Sequence, residues 1–323
     1  MARAKARSGS TARRRIERTP VLPDTPLAHV EVPDRAFAER QVARTIDVLA
    51  KAIRKRFGTD AVSRASDLDT SLVGVFPTGV RAVDAALGIG GFPLAKLVQI
   101  SGPEAVGKST FCKKLIAQAL RYGITPYFID GEDSQDQPER YRALDISPEN
   151  VLWSDALTLE QAFGYAQEAI QAARSIQSPA IVFMDSIASF MSEAELELDF
   201  DKEGRRAMKA SFLSRNIRKL TKDLQGTQIG MVFVNQVREK QNPMPFEDPL
   251  YEPGGRALRH YCHLTLRMKR IGQIKAGGRG ARATGITSTL QVKKSKLAPP
   301  FRTADVAIYF DGRVEDTDGG SGE

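Results

Sequence analysis

A glycine-rich stretch at residues 102–109 reads Gly-Pro-Glu-Ala-Val-Gly-Lys-Ser. Its glycines, lysine and serine have the G-x-x-x-x-G-K-[ST] spacing of a loop whose backbone N–H groups surround a chain of phosphates. The stretch follows the apolar run 97–101 and opens a predicted helix, whose N-terminus adds a partial positive charge. The sequence therefore predicts a site for the phosphates of ATP.

Individual side chains of this loop are expected to hold ATP and Mg²⁺ in different ways. Lys108 would contact the β- and γ-phosphates, and the hydroxyl of Ser109 would bind Mg²⁺. Thr110 is placed to contact the α-phosphate. Asp185 closes the apolar run 181–184 and is predicted to hold the same ion through water. The predicted nucleotide-binding residues of the loop are Gly102, Pro103, Glu104, Ala105, Val106, Gly107, Lys108, Ser109 and Thr110.

Hydrolysis of ATP also requires a group that orients and activates a water molecule. Glu132 comes just after the apolar run 127–130, and it is the candidate for this role. The alternative interpretation of Glu132 is a surface carboxylate without a catalytic function.

Alternating strands and helices must position these groups. Four short apolar runs each end in a polar residue: 97–101, 127–130, 181–185 and 229–235. Helical patterns separate them, at 108–122, 158–177 and 207–225. Thr158 and Gln161 are predicted to form a capping box. Continuous apolar strands joined by helices predict an α/β fold with a mainly parallel sheet covered on both faces, whose ligands bind at the carboxyl ends of the strands.

The segments outside this alternating region have other patterns. Residues 1–34 are rich in Arg, Ser and Pro, which predicts a disordered basic arm or, alternatively, a solvated tail without a specific role. A helix is predicted from residue 35 to residue 57, capped by Asp34, with an apolar stripe that needs a packing partner. Strand-like runs without long helices between them follow residue 260: 264–267, 289–294 and 306–310.

Charge and cysteine content narrow the functional class. The net charge is +8, and residues 202–275 hold sixteen Lys/Arg against six Asp/Glu, which indicates a polyanionic partner. Cys112 and Cys262 match no metal-binding spacing, and we expect two structural thiols in a reducing, cytoplasmic environment. No apolar run reaches 18 residues, so we expect neither a membrane span nor a membrane partner.

Several separate stretches, spread over about residues 52–310, together resemble the bacterial and phage RecA family of recombinases. Besides the phosphate loop they are Phe128-Ile-Asp-Gly-Glu132, Met184-Asp-Ser186, Val234-Asn-Gln-Val-Arg238, Gly254-Gly255 and Lys294-Ser-Lys296-Leu-Ala-Pro-Pro-Phe301. The resemblance implies a RecA-like P-loop NTPase core at residues 71–312, with a mainly parallel twisted sheet, helices on both faces and a small antiparallel extension. A polar tail, 313–323, would follow, and the family's usual C-terminal domain is expected to be absent.

The resemblance also implies an activity and catalytic roles. The protein would form helical filaments on single-stranded DNA, search for homology and exchange strands, with DNA-stimulated ATP hydrolysis. Glu132 would activate the attacking water, and Gln236 would sense the γ-phosphate. Lys294 and Lys296 would reach the ATP of a neighbouring subunit, and residues 35–70 would dock on that neighbour.

For the adenine, the resemblance points to the segment after Glu132. Asp136 matches a family position near the base. The family usually places a stacking aromatic shortly after it, and either Arg140 or Tyr141 is the candidate here, since a guanidinium plane also stacks on rings.

Two segments match the family's DNA-binding loops, at about 195–206 and 237–253. Cations in them would hold phosphates while apolar side chains wedge between bases; the alternative is a pair of solvated, disordered loops. A basic strip of Lys269, Arg270 and Lys275 resembles the family's site for a second, double-stranded DNA. The predicted DNA-binding residues are Arg205, Arg206, Lys209, Arg215, Arg218, Arg238, Lys240, Met244, Phe246, Gly254, Gly255, Arg256, Lys269 and Arg270.

Two other interpretations of the same residues stay open. The first is a ring-forming motor or helicase, which shares the core fold; this function would not explain the lysine pair 294/296. A non-catalytic scaffold that coats single-stranded DNA would not need Lys108, Ser109, Glu132 and Asp185 together.

Overall fold

The computed structural model describes residues 34–62, 64, 74–132, 141–142, 144–196, 202–239, 250–252, 255–277 and 282–317. The chain divides into two compact units, Met1–Thr70 and Ser71–Glu323. The basic arm predicted for residues 1–34 lies outside the described residues, except for Asp34.

The described part of the first unit is dominated by one long helix, α1 (Arg35–Phe57). Gly58 ends it with a φ of +101° and donates its N–H to the oxygen of Arg54. Asp34 stands at the N-cap, but its side chain makes no capping hydrogen bond, so that detail of the prediction is wrong. The apolar stripe of α1 is exposed within this unit, by 36–68% for each of Phe37, Val42, Ile46, Leu49, Ile53 and Phe57.

The second unit is built on strands. In chain order they are β1 (Val75–Phe76), β2 (Phe92–Pro93), β3 (Leu97–Gly102), β4 (Thr125–Asp130), β5 (Leu152–Asp155), β6 (Ala180–Asp185), β7 (Ile229–Gln236), β8 (Arg238–Glu239), β9 (Leu250–Tyr251), β10 (Leu264–Lys275), β11 (Ala283–Ser295), β12 (Thr303–Tyr309) and β13 (Val314–Asp316).

Among the described residues, nine of these strands form one sheet in the order β13-β12-β11-β10-β3-β7-β6-β4-β5. The strands from β10 to β5 in this order pair in parallel, and β10 to β13 pair antiparallel. The predicted α/β fold class, with its mainly parallel sheet and antiparallel extension, is confirmed.

The antiparallel hairpin is much longer than the apolar runs indicated. Strands β10 and β11 continue well beyond the predicted runs 264–267 and 289–294. The outer half of β10 alternates between exposed and half-buried residues. Because these residues face water on one side, the strand lacks the continuous apolar signature that the sequence analysis relied on.

The helices of the second unit lie on both faces of the sheet. They are α2 (Arg81–Leu87), α3 (Lys108–Arg121), α4 (Leu159–Ser175), α5 (Glu193–Leu196), α6 (Lys202–Asp223) and α7 (Gly255–Tyr261). On one face Phe111 and Leu115 of α3 share a core with strand residues, and on the other face Phe163 of α4 and Ile217 of α6 do so. None of the helices in the described residues combines the length and apolar composition needed to cross a bilayer.

Two predicted boundaries are wrong. Helix α6 begins at Lys202, not at residue 207, so the end of the first predicted DNA loop is helical. The loop prediction rests on the resemblance to the family's first DNA-binding loop, whereas the Lys, Glu and Arg residues here have good helix propensity. The predicted polar tail 313–323 begins inside the sheet, because Val314–Asp316 form β13 and pair with β12.

Candidate nucleotide-binding and catalytic site

Most of the predicted catalytic and Mg²⁺-binding residues stand at the carboxyl ends of four adjacent strands; the exceptions are Lys294 and Lys296. The phosphate loop follows β3, Gln236 ends β7, Asp185 ends β6, and Glu132 lies two residues after β4. These strands are neighbours in the order β3-β7-β6-β4. Parallel strands place such residues at one edge of a sheet, where ligands of open α/β folds bind.

The phosphate loop depends on a glycine at its junction with α3. Gly107 is the N-cap of α3 and has a φ of +91°, in the left-handed region. A Cβ atom at this position would come within 2.4 Å of Cδ1 of Ile308 on β12. The left-handed backbone conformation therefore favours glycine, and any Cβ would also displace the end of the Ile308 side chain.

Lys108 lies folded over the loop that precedes it. Its Nζ donates to the backbone oxygens of Gly102 (3.1 Å) and Pro103 (2.7 Å), and the residue is 8% exposed. Burial lowers the pKa of Lys108, and the nearby carboxylates of Asp185 and Glu132 partly offset this by favouring the charged form. A phosphate group in the loop would offer this ammonium a charged acceptor.

The side-chain oxygens of Ser109 and Asp185 lie together beside Lys108. The hydroxyl of Ser109 donates to Oδ2 of Asp185 at 2.7 Å. Burial raises the pKa of Asp185 to about 7, against the opposing effect of that hydrogen bond. A hydroxyl and a carboxylate suit Mg²⁺, which usually takes few protein ligands and keeps its waters or phosphate oxygens. No cluster of three or more His, Cys, Asp or Glu with a metal-binding arrangement occurs among the described residues.

Glu132 is held by three side-chain donors that converge on one of its oxygens. Its Oε1 accepts from Ser186 Oγ (2.8 Å), Ser189 Oγ (3.1 Å) and Gln236 Nε2 (2.6 Å). Ser186 and Ser189 were missed as functional residues by the sequence analysis. The only signal for them was that Ser186 directly follows Asp185.

A cavity of about 650 Å³ adjoins the phosphate loop on the side of the antiparallel extension. Loop and helix residues Ala105, Gly107, Thr110 and Lys113 form one wall, and Tyr309 and Phe310 form another. Aromatic side chains and an apolar floor suit a nucleotide base. The sequence analysis missed this wall, because it comes from a turn about two hundred residues after the phosphate loop.

A family profile described as "RecA N-terminal domain" matches residues 44–315. This chain belongs to the RecA family. Among its relatives, Protein RecA of Thermus thermophilus is 37% identical over 268 residues, which cover 83% of this chain and 76% of the relative. Protein RecA of Bacillus subtilis is 34% identical over 274 residues, covering 85% and 75%. Protein RecA of Lactobacillus johnsonii is 34% identical over 281 residues, covering 87% and 75%.

Tyr141, one of the two candidates for stacking on the adenine, is buried in the core. Its ring is only 5% exposed and contacts the ring of Trp153 edge-on, with centroids 6.2 Å apart. Tyr141 thus belongs to the core in this structure. Arg140 and Asp136 lie outside the described residues.

The two lysines of the RecA-family signature, Lys294 and Lys296, lie level with the middle and the amino end of β3. Lys294 is the register partner of Thr265, and Thr265 is paired with Gln99, the third residue of β3. The N–H of Lys296 donates to the oxygen of His263, and the N–H of His263 donates to that of Leu97, the first residue of β3. The phosphate loop follows the carboxyl end of β3. Neither lysine is therefore placed at the nucleotide site of its own chain.

Both lysines bind backbone oxygens at the end of α7. Nζ of Lys294 donates to the oxygens of Arg259, His260 (3.1 Å) and Cys262 (2.8 Å), and Nζ of Lys296 donates to that of His260 (3.3 Å). Cations are favourable at a helix C-terminus, so these contacts orient the lysines in the single chain.

Two predicted DNA-binding cations have partners within the chain. Nζ of Lys209 donates to the oxygen of Phe190 (2.7 Å) and to Oε2 of Glu195 (3.0 Å). Nε of Arg218 donates to the hydroxyl of Tyr261 at 2.8 Å. These contacts join α6 to its surroundings, and they give both residues a structural role.

Other predicted DNA-binding residues remain on the surface. Arg215, Arg238 and Lys269 are exposed. Arg270 is also exposed and lines the cavity beside the phosphate loop. Gly255 begins α7. The remaining predictions fall on residues or side chains outside the described part: Arg205, Arg206, Lys240, Met244, Phe246, Gly254 and Arg256.

Proposed function

We propose that this RecA-family chain is an ATP-dependent recombinase that forms helical filaments on single-stranded DNA and exchanges strands. The observation that carries this proposal is the 2.6 Å hydrogen bond between Gln236 and Glu132. Gln236 ends β7 immediately before the second predicted DNA loop. A movement of Glu132 on nucleotide binding would therefore be transmitted to that loop through the side chain of Gln236. A DNA-stimulated ATPase requires such a connection between its nucleotide site and its DNA site.

With nucleotide bound, Lys108 would hold phosphate oxygens, Ser109 would bind Mg²⁺ directly, and Asp185 would hold the ion through water. The ion, when bound, neutralises charge that develops on the phosphates. Glu132 orients the attacking water and accepts its proton, since a positioned carboxylate can act as a general base. The cavity beside Tyr309 and Phe310 takes the base.

For DNA and self-assembly, the proposal rests on charge and exposure. Arg215, Arg238 and Lys269 are exposed cations available to phosphates. The exposed apolar stripe of α1 is available to a neighbouring subunit, with residues 35–70 as the docking segment and 1–34 as a basic arm. Lys294 and Lys296 act on the neighbour's ATP, because they lie away from the phosphate loop of their own chain.

The test is ATP hydrolysis with and without single-stranded DNA, measured on the parent and on Glu132→Gln, with electron microscopy of the same samples. We expect DNA to stimulate the parent and the variant to lose about 10²- to 10⁴-fold in turnover. The variant should still bind nucleotide and form filaments, because Gln keeps the size of Glu132.

Different results point to the other interpretations. DNA-independent turnover by closed rings indicates a ring motor. Filaments without hydrolysis in either protein indicate a scaffold that coats DNA, and they refute Glu132 as catalyst.

A further inference from the structure

The second predicted DNA loop has a described stem. Strands β8 and β9 pair antiparallel at its base, with Arg238 opposite Tyr251 and Glu239 opposite Leu250. The stem closes residues 240–249 and joins β7 on one side to Glu252 on the other. These two strands are the described connections between the loop and the rest of the protein.

The incoming strand contacts the catalytic site directly. Gln236 pairs with Gly102 in the parallel ladder of β7 and β3, and its side chain donates to Glu132. The N–H of Val237 donates to the oxygen of Gly102 at 3.2 Å. This side of the stem thus touches both the first glycine of the phosphate loop and the proposed catalytic carboxylate.

The outgoing strand ends in a second anchor that the proposed function does not use. Oε1 of Glu252 accepts from Ser101 Oγ (2.9 Å) and from a terminal nitrogen of Arg267 (3.1 Å), and Oε2 accepts from Gln99 Nε2 (3.0 Å). The side chains of Glu252 and Arg267 are only 8% and 13% exposed. Glu252 is therefore a buried, fully engaged carboxylate and not a loop residue that faces solvent.

The partners of Glu252 lie on β3, which leads into the phosphate loop, and on its neighbour β10. Gln99 and Ser101 belong to β3, and Ser101 is the residue before Gly102. Arg267 lies on β10, opposite Ser101 in the parallel register. A buried ion pair with these hydrogen bonds has a defined geometry, and displacement of either partner leaves a charge without its counter-ion.

We propose that Glu252 is a positioning residue that fixes the outgoing strand of the stem to β3, so that nucleotide and DNA binding are coupled through two anchors. This inference rests on the proposed function, because it takes DNA as the ligand of residues 240–249. With only the Gln236 anchor, the stem would pivot about β7, and a shift at the phosphate loop would not move both strands together.

The test compares nucleotide-dependent DNA binding in the full-length parent and its variants. The affinity for a fluorescent oligothymidylate is measured with ADP and with a non-hydrolysable ATP analogue, and the ratio of the two affinities reports the coupling. Allosteric coupling is typically about 5- to 150-fold. We expect Glu252→Ala to reduce the parent's ratio to about twofold or less, and to reduce DNA stimulation of hydrolysis in parallel.

Two further variants separate coupling from folding. Glu252→Ala/Arg267→Met removes both charges, so no unpaired guanidinium stays buried, and it should lose coupling as well. Ser101→Ala removes one hydrogen bond without a charge change and should reduce the ratio partially. Asp316→Ala is the matched control, because Asp316 caps the backbone of α2 through Arg81 and Ala82 at the far edge of the sheet. It should keep the parent's ratio.

The outcomes that overturn the inference are distinct. A parental ratio in the folded double variant and in Ser101→Ala refutes the role of Glu252 and leaves the proposed function standing. A parent that shows no nucleotide dependence of DNA binding refutes the proposed function, and this inference with it.

Discussion

Buried ionisable side chains do more than one job in this protein. Lys108 and Asp185 lie at the candidate nucleotide site, where burial shifts both pKa values toward the neutral forms. His263 lies at the other end of β3, where its Nδ1 accepts the N–H of Leu97 at 3.3 Å. Burial lowers the pKa of His263 to about 4, and the nearby Lys96, Lys294 and Lys296 add to the effect.

The neutral state of His263 predicts acid sensitivity. In the unfolded chain a histidine takes up a proton near pH 6.5, whereas folded His263 stays neutral down to about pH 4. The unfolded state therefore binds more protons in this window, so stability should fall as the pH falls from about 6.5 to 4. Asn in place of His263 keeps an acceptor for Leu97 without titrating, and thermal melting of His263→Asn should depend less on pH.

His260 provides the control for this experiment, because it is exposed. His260→Asn should keep the parental pH dependence. Equal acid sensitivity of His263→Asn and the parent would show that other groups determine it.

The sequence predicted catalytic residues at this scale where local spacing carries the information. Lys108 and Ser109 were predicted because the phosphate-loop spacing fixes their positions between a strand and a helix, and Asp185 because it closes an apolar strand. Tyr309, Phe310 and Glu252 were not found. Their relation to the phosphate loop comes from tertiary contacts between distant segments, and such contacts leave no periodic signal in a single chain.

At the scale of elements, the N-terminus of α4 is fixed by a capping residue, and α4 packs on the strands that lead to the candidate catalytic groups. Thr158 caps α4, its Oγ1 accepting the N–H of Gln161 at 3.1 Å, while Oε1 of Gln161 accepts from Leu157. The predicted capping box is thus half formed, since the return bond goes to the preceding residue. Helix α4 packs against β4 and β6, the strands that lead to Glu132 and Asp185.

Loss of this cap should destabilise the core moderately. Thr158→Ala is expected to cost about 0.5–2 kcal/mol of unfolding free energy, because the N–H of Gln161 loses its acceptor. Urea unfolding measures the difference. Thr158→Ser keeps the hydroxyl and should lose less; an equal loss in both variants would assign the effect to the missing methyl group.

The helices and central strands were predictable because the helices repeat apolar residues every three to four positions and the central strands are continuously apolar. The outer part of β10 and the first turn of α6 were not, since their exposed polar residues match loops equally well. In both cases the surrounding tertiary structure, and not the local pattern, decides the conformation.

At the scale of the whole molecule, the apolar stripe of α1 is exposed and would be buried only by a binding partner. Its members would bury substantial apolar area on a neighbouring subunit, as the proposed filament requires. Each fully buried Leu or Ile contributes about 1.5–3 kcal/mol.

The variant Leu49→Asp/Ile53→Asp should therefore fold normally but assemble poorly. We expect a loss on the order of 3 kcal/mol, roughly a hundredfold in the association constant. Sedimentation velocity with ATP analogue and DNA measures it. Lys51→Asp changes charge on the same helix without removing apolar area, and it should assemble nearly as well as the parent. If the double variant assembles at the same protein concentration as the parent, α1 is not part of the interface.

The lysine pair and the phosphate loop lie toward different ends of β3. This separation affects how much ATP assemblies of different lengths can hydrolyse. If each nucleotide is completed by the lysines of the next chain, one terminal chain of every open assembly carries an unfinished site. A dimer then has one working site for two chains, and a long filament has nearly one for each. Specific activity becomes a property of length, so nucleation and end-capping set the rate of hydrolysis as firmly as the chemistry does.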